Sequence, residues 1–245
     1  VDNAILLQAM TGLDSEDSKA VSLKAPKTDY VSALKNLNPT EYLKGIRLGY
    51  YNNYKDTLYV TAVRELREAG AILVALERPE IDLPQFLRVL NLDMQKDLPD
   101  YITKYGSKEL ALKDLTEITA FNKEDSLIRM PYGQGLLYGV LADSASTQEF
   151  AAIKDTLERN GRQFFDEPIK LNNLDAVLSI NNYMAGFAAV AKYPAITVPM
   201  GYKDTNEPMG LTFIAPTLSE AKLLELAYAY EVISKKRKTP ADFEN

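Results

Sequence analysis

The 245-residue sequence contains no cysteine, no histidine and no tryptophan. Without cysteine it has neither a disulfide scaffold nor a thiolate nucleophile. Without histidine, a Ser-His-Asp triad is impossible, and so is a zinc site built from His or Cys ligands. Only an all-oxygen metal site is left. The acidic stretch 14–17 lacks the glycine and the terminal glutamate of a calcium loop, so we interpret it as a solvated loop and expect no metal and no cofactor.

Long apolar runs and an excess of basic residues are missing as well. No run of about 20 apolar residues occurs, so no helix is predicted to span a membrane. The net charge is −6, which gives no electrostatic reason to expect nucleic acid or an anionic membrane surface as a partner. The basic run 235–238 follows a predicted helix and suits the negative end of its dipole. No signal peptide is visible, and the cytoplasm is the predicted location.

The first residues already lie inside an amphipathic pattern and do not begin with methionine. A helix that enters in this way usually has sequence before it. We therefore expect a further segment to precede this one.

Strand and helix patterns alternate, which predicts an α/β fold with a mixed, mostly parallel sheet flanked by helices. Residues 44–52 alternate as a strand, 57–69 carry a helical apolar stripe, and 71–76 form a second apolar strand. Strand, helix and strand over about 30 residues predict a βαβ unit with parallel neighbours. Residues 175–180 are continuously apolar, as expected of a strand buried on both faces.

The end of the chain predicts a hairpin and a helix. Residues 195–198 form an apolar strand with prolines at both ends, and 210–214 return beside it as an antiparallel partner. Ser219 or Thr217 is expected to cap the final helix. Its buried stripe is predicted to contain Leu223, Leu226, Ala227 and Tyr230.

The stretch 84–165 is mostly helical and is interpreted as an insertion into a single domain that spans residues 1–245. Pro99 is expected to break a helix over 83–104. Residues 130–132 are expected to interrupt a helix over 123–140, and Gly161 to end one that starts at Thr147. Further predicted helices cover 2–10, 29–37, 113–121 and 185–191, and Asp29 is expected near the N-cap of the second of these.

Asn181, Asn182 and Tyr183 form one candidate binding segment. They follow the buried strand 175–180 and lie at its carboxyl edge, where α/β sheets bind ligands. The alternative is that one asparagine caps the next helix and that Tyr183 packs against the fold.

Met130 and Tyr132 form a second candidate segment, because they flank Pro131 at a predicted helix break. Such breaks serve either packing or the wall of a pocket. The neighbouring Gly-x-Gly at 133–135 follows no strand and precedes no Gly-Lys-Ser/Thr, so it is not interpreted as a phosphate loop.

Three segments carry a resemblance to a known family. Residues 191–231, AKYPAITVPMGYKDTNEPMGLTFIAPTLSEAKLLELAYAYE, look like the closing block of the amidase signature family. Residues 112–137, LKDLTEITAFNKEDSLIRMPYGQGLL, resemble the middle region of that family. Residues 1–17, VDNAILLQAMTGLDSED, resemble the segment that directly follows its signature region. The resemblance spans nearly the whole chain.

The resemblance implies amide hydrolysis by a Ser–cis-Ser–Lys triad, with an oxyanion hole made from a Gly- and Ser-rich segment. This sequence has no Gly-Gly and no Ser-Ser pair. No catalytic residue can therefore be assigned to it, because in the family's order that segment comes before Val1. We expect a partial amidase-signature fold, the C-terminal portion of an amidase, which supplies scaffold and part of the substrate pocket.

By itself this portion is predicted to be inactive. The implied partners are a small amide or peptide amide substrate and the protein's own N-terminal catalytic half. The surface that meets that half is expected to be apolar, which makes a homo-oligomer of the separate chain an expectation too.

Two alternatives stay open. One is a piece of the A subunit of a tRNA-dependent amidotransferase, although residues 112–137 look more like the peptide-amidase and general amidase branch. The other is a non-catalytic module that binds an amide or a peptide.

Overall fold

The computed structural model describes residues 1–17 and 29–239, so the predicted loop 14–27 lies largely outside the described residues. The chain divides into two compact units: unit 1 is Val1–Ile81 with Gly161–Asn245, and unit 2 is Asp82–Asn160. In chain order the elements are α1 (Asp2–Met10), α2 (Tyr30–Asn36), α3 (Pro39–Leu43), β1 (Arg47–Tyr51), α4 (Thr57–Glu68), β2 (Ile72–Leu76), α5 (Phe86–Tyr105), α6 (Leu115–Glu124), α7 (Ser126–Arg129), α8 (Gly135–Ala142), α9 (Thr147–Asn172), β3 (Ala176–Ile180), α10 (Ala185–Ala191), β4 (Ala195–Tyr202), β5 (Pro208–Ile214) and α11 (Glu220–Ser234).

Unit 1 is built on a five-stranded mixed sheet with the strand order β2-β1-β3-β5-β4. β1 pairs in parallel with β2 and β3, whereas β5 pairs antiparallel with β3 and β4. It follows that β5 alone runs against the other four strands. The predicted βαβ unit, the closing hairpin and the mixed sheet flanked by helices are therefore confirmed.

β3 lies at the centre of this sheet, and all five of its residues are buried. Leu178 of β3 belongs to an apolar cluster with Phe213 of β5 and Tyr230 of α11. The predicted stripe of α11 is confirmed, since Leu223, Leu226, Ala227 and Tyr230 are all buried. This cluster holds β3 in place and thereby fixes where the segment after it begins.

β4 is longer than the sequence predicts. Pro199 was expected to end the strand at Val198, but it lies inside β4. β4 is an edge strand, where a missing N–H is tolerated because one side of the strand needs no ladder partner. The register also shifts between Pro199 and Gly201, and a bulge of this kind accommodates proline.

Capping at the helix starts is partly as predicted. Asp29 precedes α2 and its carboxylate accepts a hydrogen bond from Ser32 N at 3.0 Å. The expected cap of α11 is wrong: Ser219 makes no side-chain cap bond. Thr217 does not cap the helix either, because its Oγ1 donates to the carbonyl of Lys192 at 3.0 Å.

α9 continues through Gly161, where the sequence predicts its end. A Cβ at Gly161 would lie 2.6 Å from Val190 Cγ2, 2.8 Å from Ala191 N and 2.9 Å from Phe187 O. The glycine is therefore needed for the close approach of α9 to α10 and does not terminate the helix. Its local weakness as a helix former is overridden by this packing.

Unit 2 is helical, and two expectations about it need correction. Pro99 lies inside α5, which runs unbroken to Tyr105. The proline ring suits helical φ, so the helix tolerates it at the loss of one hydrogen bond, to the carbonyl of Gln95. The break at 130–132 is present, but it separates two short helices, α7 and α8.

A charged network connects the helices of unit 2. Arg88 of α5 donates to Asp143 Oδ1 at 3.0 Å and to Glu149 Oε1 at 2.7 Å. Asn91 Nδ2 donates to the other oxygen of Asp143 at 3.1 Å. Asn91 and Arg88 together hold the pKa of Asp143 below its ordinary value. The network fixes the loop between α8 and α9 against α5.

Candidate functional site

The first candidate segment, Asn181 to Tyr183, follows directly on β3 in unit 1. Asn181 adopts a left-handed conformation with φ 45°, which asparagine tolerates better than most residues. Its Oδ1 accepts from Gly210 N at 2.7 Å, and its backbone N–H donates to Gly210 O at 2.9 Å. Thr212 Oγ1 donates to the Asn181 carbonyl at 2.6 Å. Asn181 thus fastens the end of β3 to β5.

Gly210 is required by the same junction. A Cβ at this position would lie 2.4 Å from Thr197 Cγ2 and 3.4 Å from Asn181 Oδ1. Only glycine lets the β4–β5 hairpin and the Asn181 side chain come this close. The contact explains why a glycine occurs inside β5.

Asn182 and Tyr183 face outward. Tyr183 is 61% exposed, and its ring meets the Tyr54 ring edge-on with 6.0 Å between centroids. The cap of α10 is Met184, and no side chain makes a cap bond there. Neither asparagine therefore caps the next helix, and Tyr183 has one free face.

A groove of about 580 Å³ lies beside this segment on unit 1. It runs between Asn181 and Asn182, the start of α10 at Ala185, and the β4–β5 hairpin. Ligand pockets typically have volumes of roughly 300–1,000 Å³. Its lining is mostly apolar, so the exposed asparagine supplies one of its few polar groups.

The carboxyl ends of β1, β2 and β3 carry a second group of side chains, which sequence reasoning missed. Tyr51 ends β1, Ser179 is near the end of β3, and Arg78 follows β2 by two residues. Tyr54 lies beside Tyr51, with ring centroids 6.0 Å apart. The available signal was the run LGYYNNY at the end of a predicted parallel strand, whose aromatic content is unusual for such a position.

One hydroxyl of this group, that of Tyr51, is buried without a hydrogen-bond partner. Burial raises the pKa of Tyr51, and the Arg78 guanidinium opposes this. Burial also raises the pKa of Tyr54, against the opposing influence of Ser179 and Arg78. A cation and several hydroxyls therefore act on one another at the carboxyl edge of the sheet.

The second candidate segment lies in unit 2. Met130 is half-buried, whereas Tyr132 is fully exposed and precedes a turn at Gly133 with φ 76°. Gln134 is buried: its Nε2 donates to the Thr119 carbonyl at 3.1 Å, and its Oε1 accepts from Asn122 Nδ2 at 3.0 Å. Gln134 thus anchors the start of α8 and leaves the Tyr132 ring free.

Residues 1–17 and 29–239 hold no group of three His, Cys, Asp or Glu side chains placed as metal ligands would be. None of the helices in these ranges is long and apolar enough to cross a membrane.

The chain matches no family model. An amidase family protein from Bacillus anthracis superposes with a TM-score of 0.84 and 31% identity, over 98% of this chain and 48% of its own. The peptide amidase of Stenotrophomonas maltophilia gives a TM-score of 0.83 and 28% identity, over 99% of this chain and 53% of its own.

Curated relatives agree with these structures. A probable amidase from Arabidopsis thaliana is 28% identical over 98% of this chain and 48% of its own length. The A subunit of a glutamyl-tRNA(Gln) amidotransferase from Nostoc is 26% identical over 94% of this chain and 53% of its own. The chain spans about half the length of the curated relatives it matches. The resemblance to the amidase signature family is confirmed: the homologues and structural neighbours of this chain are members of that family.

Proposed function

We propose that this chain is the C-terminal portion of an amide hydrolase, which converts a carboxamide into a carboxylate and ammonia or an amine. In this proposal the chain supplies scaffold and part of the substrate pocket, and the nucleophile comes from the other portion of the protein. The observation that carries it is the match to amidases over 98–99% of this chain and only about half of theirs. The absence of Gly-Gly and Ser-Ser pairs agrees with a nucleophile located elsewhere.

The surface of unit 1 supports the proposal that a further portion of the protein packs against this chain. β4 is an edge strand, with no partner on its outer side among the described residues. The groove of about 580 Å³ adjoins one face of β4, and a smaller groove of about 260 Å³ adjoins it beside α1. Leu6 and Met10 of α1 line the smaller groove and are 59% and 71% exposed. An unpaired edge with apolar surroundings favours association with further polypeptide.

Within unit 1, Asn182 and Tyr183 are the residues proposed to contact the substrate, and Asn181 is the residue that positions them. Both ends of the Asn181 side-chain amide are engaged, because Oδ1 accepts from Gly210 N and Nδ2 donates to Met209 Sδ. Asn181 therefore positions Asn182 and Tyr183 through the backbone and is not proposed to contact the substrate. Within unit 2, Met130 and Tyr132 are retained as proposed pocket residues, because the Tyr132 ring is free for contact. Such residues orient a substrate and perform no bond chemistry themselves.

The experiment is an ammonia-release assay on simple carboxamides and on peptide amides. It compares this chain, a separately produced complementary portion, and their mixture. The proposal expects activity in the mixture only. Amide hydrolysis by this chain alone, or a mixture that forms a complex without hydrolysing any amide, would contradict it.

The same experiment addresses a second candidate function. The similarity to the amidotransferase subunit from Nostoc is the observation that favours it. A mixture that hydrolyses glutamine and spares peptide amides would support that candidate.

Homo-oligomers are also expected, because a second copy can cover the apolar edge in the absence of a complement. If the chain alone sediments as a monomer at high concentration, the expected self-association through the β4 edge is contradicted.

A further inference from the structure

Arg78 of unit 1 lies against two aromatic rings. Its guanidinium carbon lies 6.0 Å from the centroid of the Phe164 ring and 5.8 Å from that of Phe187. These two rings are stacked on each other, 4.1 Å apart. No carboxylate of the described residues forms an ion pair with Arg78. A guanidinium held against aromatic rings keeps its N–H groups available for an anion.

Hydroxyl donors accompany this cation. The Tyr51 ring lies 6.3 Å from Phe164 and 6.0 Å from Tyr54, so both phenols belong to the same aromatic group as Arg78. The Tyr51 hydroxyl is buried and lacks any partner. Because buried polar groups are nearly always hydrogen-bonded, this hydroxyl is an independent sign that a polar group is missing here. The place itself is the carboxyl edge of β1, β2 and β3, where α/β sheets bind ligands.

We propose that Arg78 and the Tyr54 hydroxyl form a binding subsite for a carboxylate group. A carboxylate matches the planar, bidentate geometry of a guanidinium and accepts from a phenol. The exposed Tyr183 ring, which lies edge-on to Tyr54, favours a carboxylate attached to an apolar or aromatic body. A neutral amide gains less from the cation, and an ammonium group is repelled by it.

If the proposed function holds, this subsite also indicates which molecules the amide hydrolase binds. They carry a carboxylate, either as a second group on the amide substrate or as the carboxylate product of hydrolysis. Binding itself needs no nucleophile, so it can be measured on this chain as it exists. Failure of the subsite and failure of amide hydrolysis are therefore separate results.

The probe is benzoate, with benzamide as its neutral counterpart, titrated into the chain by calorimetry and by NMR. We expect benzoate to bind at least about tenfold more tightly than benzamide, because a hydrogen bond to a charged group is stronger than one between neutral groups. Arg78→Gln should weaken benzoate binding by at least about tenfold and leave benzamide binding unchanged. Tyr54→Phe should weaken it less, because it removes a neutral donor.

Arg129→Gln is the matched control. Arg129 belongs to unit 2, and its guanidinium carbon also lies against an aromatic ring, 3.6 Å from the centroid of Phe121. This variant should bind benzoate as the parent does. Thermal unfolding of each variant checks that the fold is kept, and Arg78→Lys, which keeps the charge, should retain part of the affinity. Equal affinity for benzoate and benzamide, unchanged binding in Arg78→Gln, or an equal loss in Arg129→Gln would overturn the proposal.

Discussion

The two units of this chain are stabilised in different ways. Unit 1 has a large apolar cluster around β3, in which Leu178, Phe213 and Tyr230 are fully buried. Unit 2 depends more on polar contacts, such as those of Asp143 with Arg88 and Asn91. It also exposes several large apolar side chains, namely Leu127, Ile128, Tyr132 and Leu136. The difference indicates that unit 1 provides the rigid frame for strand-end residues, whereas the helices of unit 2 are held more by polar contacts.

The largest effect should come from emptying a core position of unit 1. Leu178 is fully buried at the centre of β3, so Leu178→Ala is expected to lower the free energy of unfolding by about 2–5 kcal/mol. The matched change in unit 2 is Leu127→Ala, because Leu127 is 87% exposed. It should change the free energy of unfolding by less than about 0.5 kcal/mol. Urea unfolding followed by circular dichroism measures both. Equal effects at the two positions would contradict the comparison.

Two glycines, one in each unit, should respond to alanine with changes of opposite sign in the free energy of unfolding. Alanine at Gly161 would place Cβ 2.8 Å from Ala191 N and 2.6 Å from Val190 Cγ2, so Gly161→Ala should destabilise by about 1–3 kcal/mol. At Gly139 in α8, the nearest atom to an added Cβ is Asn91 Nδ2 at 3.9 Å. Gly139→Ala should therefore stabilise by up to about 1 kcal/mol through helix propensity. The same unfolding experiment decides, and two changes of equal sign would refute the assignment of Gly161 to close packing.

Alkaline pH should weaken unit 1 through its tyrosines. Burial raises the pKa of Tyr51, Tyr59 and Tyr230 above the ordinary value. Their neutral forms then persist in the folded state while the unfolded chain ionises. The stabilisation is complete below pH 10 and is lost as pH rises above it, by about 1.4 kcal/mol per pH unit for each such group. Tyr51→Phe should make the pH dependence of the unfolding free energy above pH 10 less steep. An unchanged slope would show that Tyr51 ionises equally in both states.

Acid should have the smallest effect, and it should act on unit 2. The pKa of Asp143 is lowered by Asn91 and Arg88, so its contribution is present above the ordinary carboxyl pKa and is lost as pH falls through the lowered value. Asp143→Asn should reduce the acid dependence of stability. Chemical shifts of the carboxyl carbons measure the titration. An ordinary pKa at Asp143 would contradict a stabilising contribution from its contacts with Arg88 and Asn91.

Much of unit 1 could be predicted from sequence because its signals are local. β3 is continuously apolar, α4 carries one apolar stripe, and the βαβ order fixes parallel pairing. α3 was missed, although Asn38 and Pro39 are a typical helix start. The full length of α9 could not be predicted, because the reason for Gly161 is its distance to α10, which is far away in sequence.

The candidate site shows the same limit. Asn181 to Tyr183 could be placed at a strand end from sequence, but the engagement of the Asn181 amide by Gly210 depends on the order of β3 and β5. Arg78 has no sequence signal, since it follows β2 in a polar segment. Its neighbours Phe164 and Phe187 come from α9 and α10, and only the folded chain brings the three together.

The most direct test of the central claim, that this chain contains no nucleophile, is labelling with a serine-reactive fluorophosphonate read by intact mass. The probe is applied to this chain alone and to its mixture with the complementary portion. We predict no adduct on this chain in either sample and one adduct on the complementary portion in the mixture. An adduct on a serine of this chain, such as Ser126 or Ser179, would show that it carries the catalytic group itself.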